Sequence, residues 1–304
     1  MMPLKDSLSV VVALPADFRA DEVLAFHRRD PAGTAERVED GVVAKGLCWR
    51  GGPAALTLRP RPGTVEAVLA VDGEVGAQDG AQESALAAMA RRMLGLGQRV
   101  APFVQAFGDH PQLGPLLALR PGLRVPQTAT PFEALAWAII GQQITVTAAV
   151  SIRARLIRQV GVRHSGGLWC FPDAPALARQ TPETLRGAGL SAAKAQALIG
   201  VAERAADGAL PLDEWAADPV PADTIRETLL AIRGVGPWTV EYVLLRGYGW
   251  LDGSLDGDAA VRRAIARLTG KTVTAAEARS WLAPFAPWRA LAAAHLWASL
   301  STQA

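Results

Sequence analysis

The first hundred residues alternate between short apolar runs and turn signals, a pattern typical of strands in an antiparallel sheet. Turns rich in glycine and proline, such as those at 51–53 and 60–63, separate the runs. The predicted strands are 7–14, 41–50, 54–59 and 64–71, and the predicted helices are 21–29 and 82–96. We therefore expect a small mixed N-terminal domain with an antiparallel sheet, over residues 1–108.

From residue 102 onward the pattern becomes helical, and no further convincing strand is found. Thr130 and Thr274 each precede a glutamate by three residues, the pattern of a capping box at a helix start. Apolar residues spaced three and four apart predict the helices 145–159, 191–207, 221–232, 237–247, 258–269 and 287–301. Residues 109–304 are thus expected to form a bundle of eight to ten helices, which makes the fold class α+β.

Composition excludes several classes of protein. Half of the 304 residues are hydrophobic, too many for a disordered chain, yet no run approaches the roughly 18 apolar residues of a membrane span. The N-terminus has no signal-peptide pattern, so we expect a soluble cytoplasmic protein with no membrane partner. Two distant cysteines, Cys48 and Cys170, and four scattered histidines offer no metal-ligand spacing, and no cofactor is expected.

The net charge of +2 says little about a polyanionic partner, but the basic residues are unevenly distributed. Two stretches without any acidic residue lie between Glu133 and Asp173 and between Asp258 and Glu277. Their basic residues are Arg153, Arg155, Arg158, Arg163, Arg262, Arg263, Arg267 and Lys271. They are compatible with a phosphate-facing surface and equally with ordinary solvated helix faces.

The strongest local motif is a Gly-Val-Gly turn, with Gly234 and Gly236, between two predicted helices near 221–247. Glycines allow positive φ and close approach of a partner, and the free amides at the start of the second helix suit an anionic oxygen. This pattern is typical of a helix-hairpin-helix that grips a DNA phosphate without recognising sequence. By itself it is equally compatible with a simple tight turn.

An acidic residue near the start of the next helix, around 256–270, is the candidate catalytic group. Asp258 lies in the first helical turn, where the helix dipole favours a charged carboxylate. An aspartate there is usually a helix cap, but Asp256 precedes the helical pattern and is the better cap candidate. Asp258 is then available for chemistry, with Trp238 and Tyr242 on one face of the preceding helix.

Five ordered segments together resemble the AlkA-type DNA-3-methyladenine glycosylase II family, within the helix-hairpin-helix Gly-Pro-Asp glycosylases. They are residues 120–126, 139–143, 232–258, 242–247 and 287–297. The resemblance implies a helical core of two subdomains behind the mixed domain. It also implies a bacterial-type, nucleoid-associated monomer that acts in base excision repair, flipping alkylated purines such as 3-methyladenine and 7-methylguanine out of double-stranded DNA.

The resemblance also assigns roles to individual positions. Asp258 falls on the catalytic aspartate, and the aromatic residues Trp238, Tyr242 and Trp297 fall on the base pocket. Gln143 falls on the residue that wedges into the duplex, and Gly234, Gly236 and Thr239 on the DNA-binding hairpin. Backbone carbonyls of a monovalent cation site would come from Leu230, Ile232 and Val235.

One position distinguishes the type of glycosylase. Members with lyase activity carry a lysine two residues after the second hairpin glycine, where this chain has Trp238. Without that amine no Schiff base forms with the sugar, so the expected product is an abasic site. Two alternatives stay open, a non-catalytic DNA-binding protein and a glycosylase for oxidised or deaminated bases.

Overall fold

A computed structural model describes residues 7–73 and 80–301 of the chain. Its N-terminal part contains five strands: β1 (Ser7–Ala13), β2 (Glu36–Glu39), β3 (Val42–Trp49), β4 (Gly52–Arg61) and β5 (Thr64–Val71). They form one antiparallel sheet in the order β1-β5-β4-β3-β2. The four predicted strands are confirmed. Strand β2 was missed because its four residues contain one apolar side chain, Val38, too few to show a period.

Two helices accompany the sheet, α1 (Asp21–His27) and α2 (Gly80–Met93). Helix α2 packs on β1 and β5 and buries Leu86, Met89 and Met93 in the same core as the inward side chains of the sheet. The predicted mixed character of this region is therefore confirmed.

The rest of the described chain is helical. Its helices are α3 (Ala101–Phe107), α4 (Gly114–Leu119), α5 (Pro131–Gly141), α6 (Val146–Val160), α7 (Ala174–Ala178), α8 (Pro182–Gly187), α9 (Ala192–Ala206), α10 (Ala222–Leu230), α11 (Pro237–Tyr248), α12 (Ala259–Thr269), α13 (Ala275–Leu282) and α14 (Arg289–Ser301). From residue 109 to 301 this gives eleven α-helices, where eight to ten were expected. The additional ones include α4 and α7, which are too short to show a helical period in the sequence.

The helices enclose two apolar cores, as the predicted pair of helical subdomains requires. Helices α5 to α11 surround the first core, and α3, α4 and α12 to α14 surround the second. Helix α11 lies between them, since Val240 and Val243 belong to the first core and Leu245 to the second. Trp238 and Trp297 pack against both. The junction of the subdomains is therefore lined by indole rings.

The segment after α6 returns to the N-terminal sheet, which the sequence pattern did not predict. Phe171 forms a parallel bridge with Leu47 of β3, and Arg163 forms an antiparallel bridge with Trp169. A side chain at Gly46 would place its Cβ 2.1 Å from the Trp169 carbonyl oxygen, so only glycine permits this approach. Single bridges between distant residues leave no periodic pattern, and the expectation that no further strand follows residue 102 holds for the described residues.

Buried charges join the sheet to α5 and α6. Thr130 caps α5 by accepting the Glu133 amide at 3.2 Å, but the Glu133 carboxylate does not return to the cap as the predicted capping box requires. It binds Lys45 at 2.7 Å and Arg153 at 2.7 Å, and both cations also bind Glu36. Burial alone would raise the pKa of Glu36, but Lys45 and Arg153 hold that pKa well below its usual range.

Candidate active site

The turn between α10 and α11 places its two glycines in different conformations. Gly234 has φ +90°, and a Cβ there would lie 2.8 Å from the Ala197 Cβ on α9, so both backbone and packing require glycine. Gly236 caps α11 with φ −103° and has open space around it. Of the two glycines, only Gly234 uses the positive φ that glycine allows. Pro237 begins α11 and no side chain caps its N-terminus, while the Val235 amide donates to the Ile232 carbonyl at 3.1 Å.

Asp258 receives four N–H donors at the start of α12. The amides of Ala260 and Val261 donate to its Oδ1 at 2.9 Å each, and the Trp297 indole donates to the same oxygen at 3.0 Å. The Trp238 indole donates to Oδ2 at 2.9 Å. Four donors from two helices and the backbone fix the orientation of the carboxylate.

The capping role predicted for Asp256 belongs to Asp258. Helix α12 begins at Ala259, and the Asp258 side chain reaches the two free amides of its first turn. Asp256 instead accepts hydrogen bonds from Ser254 at 2.7 Å and Arg279 at 2.8 Å, which ties the preceding loop to α13. The prediction that Asp256 caps the helix and leaves Asp258 free was therefore wrong, because the helix starts later than its apolar pattern indicates. Within Asp258, Oδ1 accepts three hydrogen bonds and holds the start of α12, whereas Oδ2 accepts only the hydrogen bond from Trp238.

Three aromatic side chains predicted to line a base pocket lie together beside this carboxylate. Trp238 and Tyr242 of α11 have ring centroids 5.3 Å apart, and Tyr242 and Trp297 of α14 are 6.4 Å apart. Tyr242 is buried, while the two indoles are partly exposed. The arrangement offers aromatic surface and an anion at one place, which suits a flat cationic group.

Sequence reasoning missed Arg246, which lies one helical turn after Tyr242. Its guanidinium stands 5.5 Å from the centroid of the Trp297 ring and 4.7 Å from that of Phe26, and it donates to the Pro126 carbonyl at 2.7 Å. Burial lowers the pKa of Arg246 to about 10. The i, i+4 spacing from Tyr242 was the available signal. Arg246 thus contacts Trp297 of α14 and Phe26 of α1, and links the helical core to α1.

The predicted wedge residue, Gln143, lies at the exposed end of the loop between α5 and α6 and has φ +57°. Thr239, predicted to contact DNA, is buried at 1% exposure, and its hydroxyl accepts a hydrogen bond from Gln142 at 2.9 Å. Its side chain therefore supports the loop and does not face outward. A DNA contact through the Thr239 side chain is contradicted by this burial.

The two acid-free basic stretches both place basic side chains at the surface, with Arg153 as the buried exception. In the first, Arg153 is buried in the ion cluster, so it does not face a phosphate. Arg155 and Arg158 donate to the Ala188 carbonyl and the Thr34 hydroxyl. In the second, the exposed residues are Arg263, Arg267 and Lys271. Arg155, Arg158 and Arg163 of the first stretch are exposed as well, so each stretch presents several basic side chains.

Among the described residues no group of three or more histidine, cysteine, aspartate or glutamate side chains is arranged for a metal ion. Cys48 and Cys170 are free, and burial raises the pKa of Cys48 to about 11, which makes it a poor nucleophile. No described helix is long and apolar enough to cross a membrane.

Comparison with known proteins finds two family models along the chain. The model described as "AlkA N-terminal domain" matches residues 10–130, and the model "HhH-GPD superfamily base excision DNA repair protein" matches residues 136–281. Together they cover most of the chain and correspond to its mixed and helical parts.

Individual relatives agree with these families. The chain is 34% identical over 189 residues to "DNA-3-methyladenine glycosylase 2" of Escherichia coli, covering 61% of this chain and 63% of the relative. It is 28% identical over 305 aligned positions to a "Probable bifunctional transcriptional activator/DNA repair enzyme AlkA" of Mycobacterium tuberculosis, covering 97% and 57%. The chain thus spans about three fifths of the length of these relatives. A solved "3-methyladenine dna-glycosylase from Archaeoglobus fulgidus" has the same fold, with TM-score 0.78, 24% identity and coverage of 95% and 97%.

Proposed function

The chain belongs to the HhH-GPD superfamily of base excision DNA repair proteins and carries an AlkA-type N-terminal domain, and from this premise we propose that it is a monofunctional glycosylase for alkylated purines in DNA. The observation that carries the proposal is the Asp258 carboxylate, fixed by two indole and two backbone N–H groups beside aromatic walls. Relatives named DNA-3-methyladenine glycosylase support the substrate class.

Breaking an N-glycosidic bond develops positive charge on the sugar, and a carboxylate fixed nearby stabilises that charge or activates the attacking water. Within Asp258, Oδ1 already accepts three hydrogen bonds and Oδ2 accepts one, from Trp238. Oδ2 therefore keeps lone-pair capacity. We assign the contact with the sugar or the water to Oδ2, and the anchoring of the carboxylate to Oδ1.

Alkylation at N3 or N7 makes a purine cationic and a good leaving group. A cation beside electron-rich rings is stabilised by about 0.5–2 kcal/mol, which Trp238, Tyr242 and Trp297 can supply. A leaving group that already carries charge needs little protonation, so no second acid is required for its departure. The base has to leave the duplex first, at a cost of a few kcal/mol that is smallest for damaged pairs.

The absence of an amine nucleophile at the hairpin makes the enzyme monofunctional. Trp238 occupies the position at which a lyase needs lysine, and its indole is engaged with Asp258. Lys194 is held by two backbone carbonyls, and Lys45 is buried in the ion cluster. Hydrolysis is the remaining route, so the reaction ends at an abasic site.

Double-stranded DNA is the proposed partner of a monomeric enzyme acting on the bacterial nucleoid in the cytoplasm. The amides around Gly234 and Gly236 would hold a phosphate, and Gln143 would enter the space left by the extruded base. Exposed Arg263 and Arg267 on α12 add positive charge. A monovalent cation on the carbonyls of Leu230, Ile232 and Val235 would strengthen the hairpin as a phosphate site.

The direct test is incubation with methylated duplex DNA, followed by chromatography of released bases. We expect free 3-methyladenine and 7-methylguanine, abasic sites in equal number, and no covalent complex trapped by borohydride. Release of no base, or full release by Asp258→Asn, refutes the proposal. A trapped complex refutes only its monofunctional part. Duplexes with hypoxanthine or 8-oxoguanine measure how far the activity extends beyond alkylated bases.

A further inference from the structure

The loop between α5 and α6 is short and exposed. Its residues 142–145 connect the end of α5 to α6, and the side chains of Ile144 and Val146 are 37% and 60% exposed. Gln143 takes the left-handed backbone conformation, which is strained for a residue with a side chain. A strained exposed loop holds its shape only when other contacts determine it.

Those contacts come mainly from Gln142, the residue beside the predicted wedge. Its side-chain Nε2 donates to the Gly234 carbonyl at 2.8 Å and to the Thr239 hydroxyl at 2.9 Å. The first partner lies in the hairpin turn and the second in the first turn of α11. One amide group thus connects the loop to the turn of the hairpin and to its second helix.

Lys194 of α9 fixes the same loop from the other side. Its Nζ donates to the carbonyls of Ile140 and Gln142 at 2.9 and 2.6 Å, where the C-terminus of α5 favours a cation. Helix α9 also contacts the hairpin, because Ala197 packs against Gly234. Loop, hairpin and α9 therefore form one connected unit.

We propose that Gln142 is a positioning residue that locks the loop carrying Gln143 to the hairpin, so that phosphate binding and base extrusion occur as one event. The proposal rests on the proposed function. Extruding a base breaks its stacking in the duplex, so the duplex tends to pull the base back. A wedge residue can oppose this return only if its loop is fixed relative to the hairpin that holds the DNA phosphate. Gln142 provides the fixed connection through two hydrogen bonds to Gly234 and Thr239.

The test compares Gln142→Met, which keeps side-chain volume but removes both donors, with Gln105→Ala, a control at an exposed glutamine on α3. Single-turnover release of 7-methylguanine is measured from a fully paired duplex and from a bulge where the lesion is unpaired. Loss of these two hydrogen bonds predicts release from the paired duplex that is slower by about tenfold or more. Release from the bulge should fall by less than about threefold, because little extrusion work remains there. A general structural defect would slow both substrates equally, and that outcome overturns the proposal.

Thr239→Val supplies an independent second variant, since it removes one acceptor of Gln142 and leaves the loop sequence unchanged. It should slow the paired substrate less than Gln142→Met does, and the double variant should be no slower than Gln142→Met alone. Additive losses contradict a shared connection.

Hydrogen exchange of the free protein separates this proposal from the proposed function. Amides at 142–146 and 233–236 should exchange faster in Gln142→Met than in the wild type or Gln105→Ala. Unchanged exchange overturns the positioning role even if the enzyme is active. Faster exchange in Gln142→Met, together with a wild-type protein that releases no base, would instead leave the locked loop supported and refute the glycosylase activity.

Discussion

Replacing Asp258 by asparagine separates its two roles, because asparagine can cap a helix about as well as aspartate but carries no charge. The new carbonyl oxygen can take the place of Oδ1 and keep both amides of α12 and the Trp297 indole. The new NH2 group then faces the Trp238 indole N–H across 2.9 Å, so two donors oppose each other. Leaving these donors unpaired costs about 1–3 kcal/mol of folding free energy.

The effect on catalysis is larger than the effect on stability. A unit charge about 4 Å from a cationic sugar is worth about 4 kcal/mol at an effective dielectric constant near 20. Removing it corresponds to a rate lower by about 1,000-fold. We therefore expect Asp258→Asn to fold, to bind duplex DNA containing an abasic-site analogue, and to release 7-methylguanine about 1,000-fold more slowly.

The assay combines single-turnover base release with thermal unfolding followed by circular dichroism. Asp173→Asn is the matched control, because Asp173 also caps a helix, accepting the Ala176 amide at 2.9 Å, without any contact to Asp258. It should keep the full rate. A rate for Asp258→Asn above about a tenth of wild type would mean that less than about 1.4 kcal/mol depends on the charge, and the catalytic assignment would be wrong.

Three further predictions follow from contacts around the site and the domain junction. Trp297→Phe keeps an aromatic ring but removes an N–H donor to Asp258, so single-turnover release should slow by about tenfold, and an unchanged rate contradicts the anchoring of Oδ1. Lys45→Met leaves two buried carboxylates undercompensated and should lower the free energy of unfolding at pH 7 by about 3–5 kcal/mol in urea titrations. In the wild type, the folded-state pKa values of Glu36 and Glu133 are depressed, so its free energy of unfolding should fall as the pH drops below about 4.5. The Lys45→Met variant should lose less of its free energy of unfolding over the same pH range. Equal losses in the two proteins would argue against the pairing. Gly46→Ala should lower the free energy of unfolding by about 1–3 kcal/mol or more, because its Cβ would clash with the backbone. Gly200→Ala, in open space within α9, should raise it by about 0.5–1 kcal/mol. Equal effects of the two substitutions would refute the close approach at Gly46.

Local patterns in the sequence were sufficient for most of the secondary structure. The alternation of apolar residues gave four of five strands, and the capping motif at Thr274 is present with both of its hydrogen bonds. Failures occurred where a local rule competed with a distant partner. Glu133 has the position of a capping-box residue, yet its carboxylate turns to Lys45 and Arg153, since buried cations bind it more strongly than a free amide at a helix end.

Sequence also located the candidate site, but not its internal contacts. The Gly-Val-Gly turn, the acid at 258 and the absence of lysine at 238 are all visible along the chain. That Asp258 and not Asp256 caps α12 was not visible, because the difference depends on the exact first residue of the helix, which sequence patterns locate only to about two residues. The contacts of Arg246 with Trp297 and Phe26 depend on the packing of α14 and α1 against α11.

What the sequence by itself determined was the identity and order of the elements, together with the residues able to do the chemistry. These depend on side-chain periodicity and hydrogen bonds within a few residues, which act in any tertiary context. Only the tertiary structure decided that the indoles of Trp238 and Trp297, from different helices, donate to opposite oxygens of Asp258. It alone decided that Gln142 joins its loop to the hairpin. Such contacts link residues far apart in the chain, so they are fixed by how two apolar cores pack around α11 and not by any local pattern.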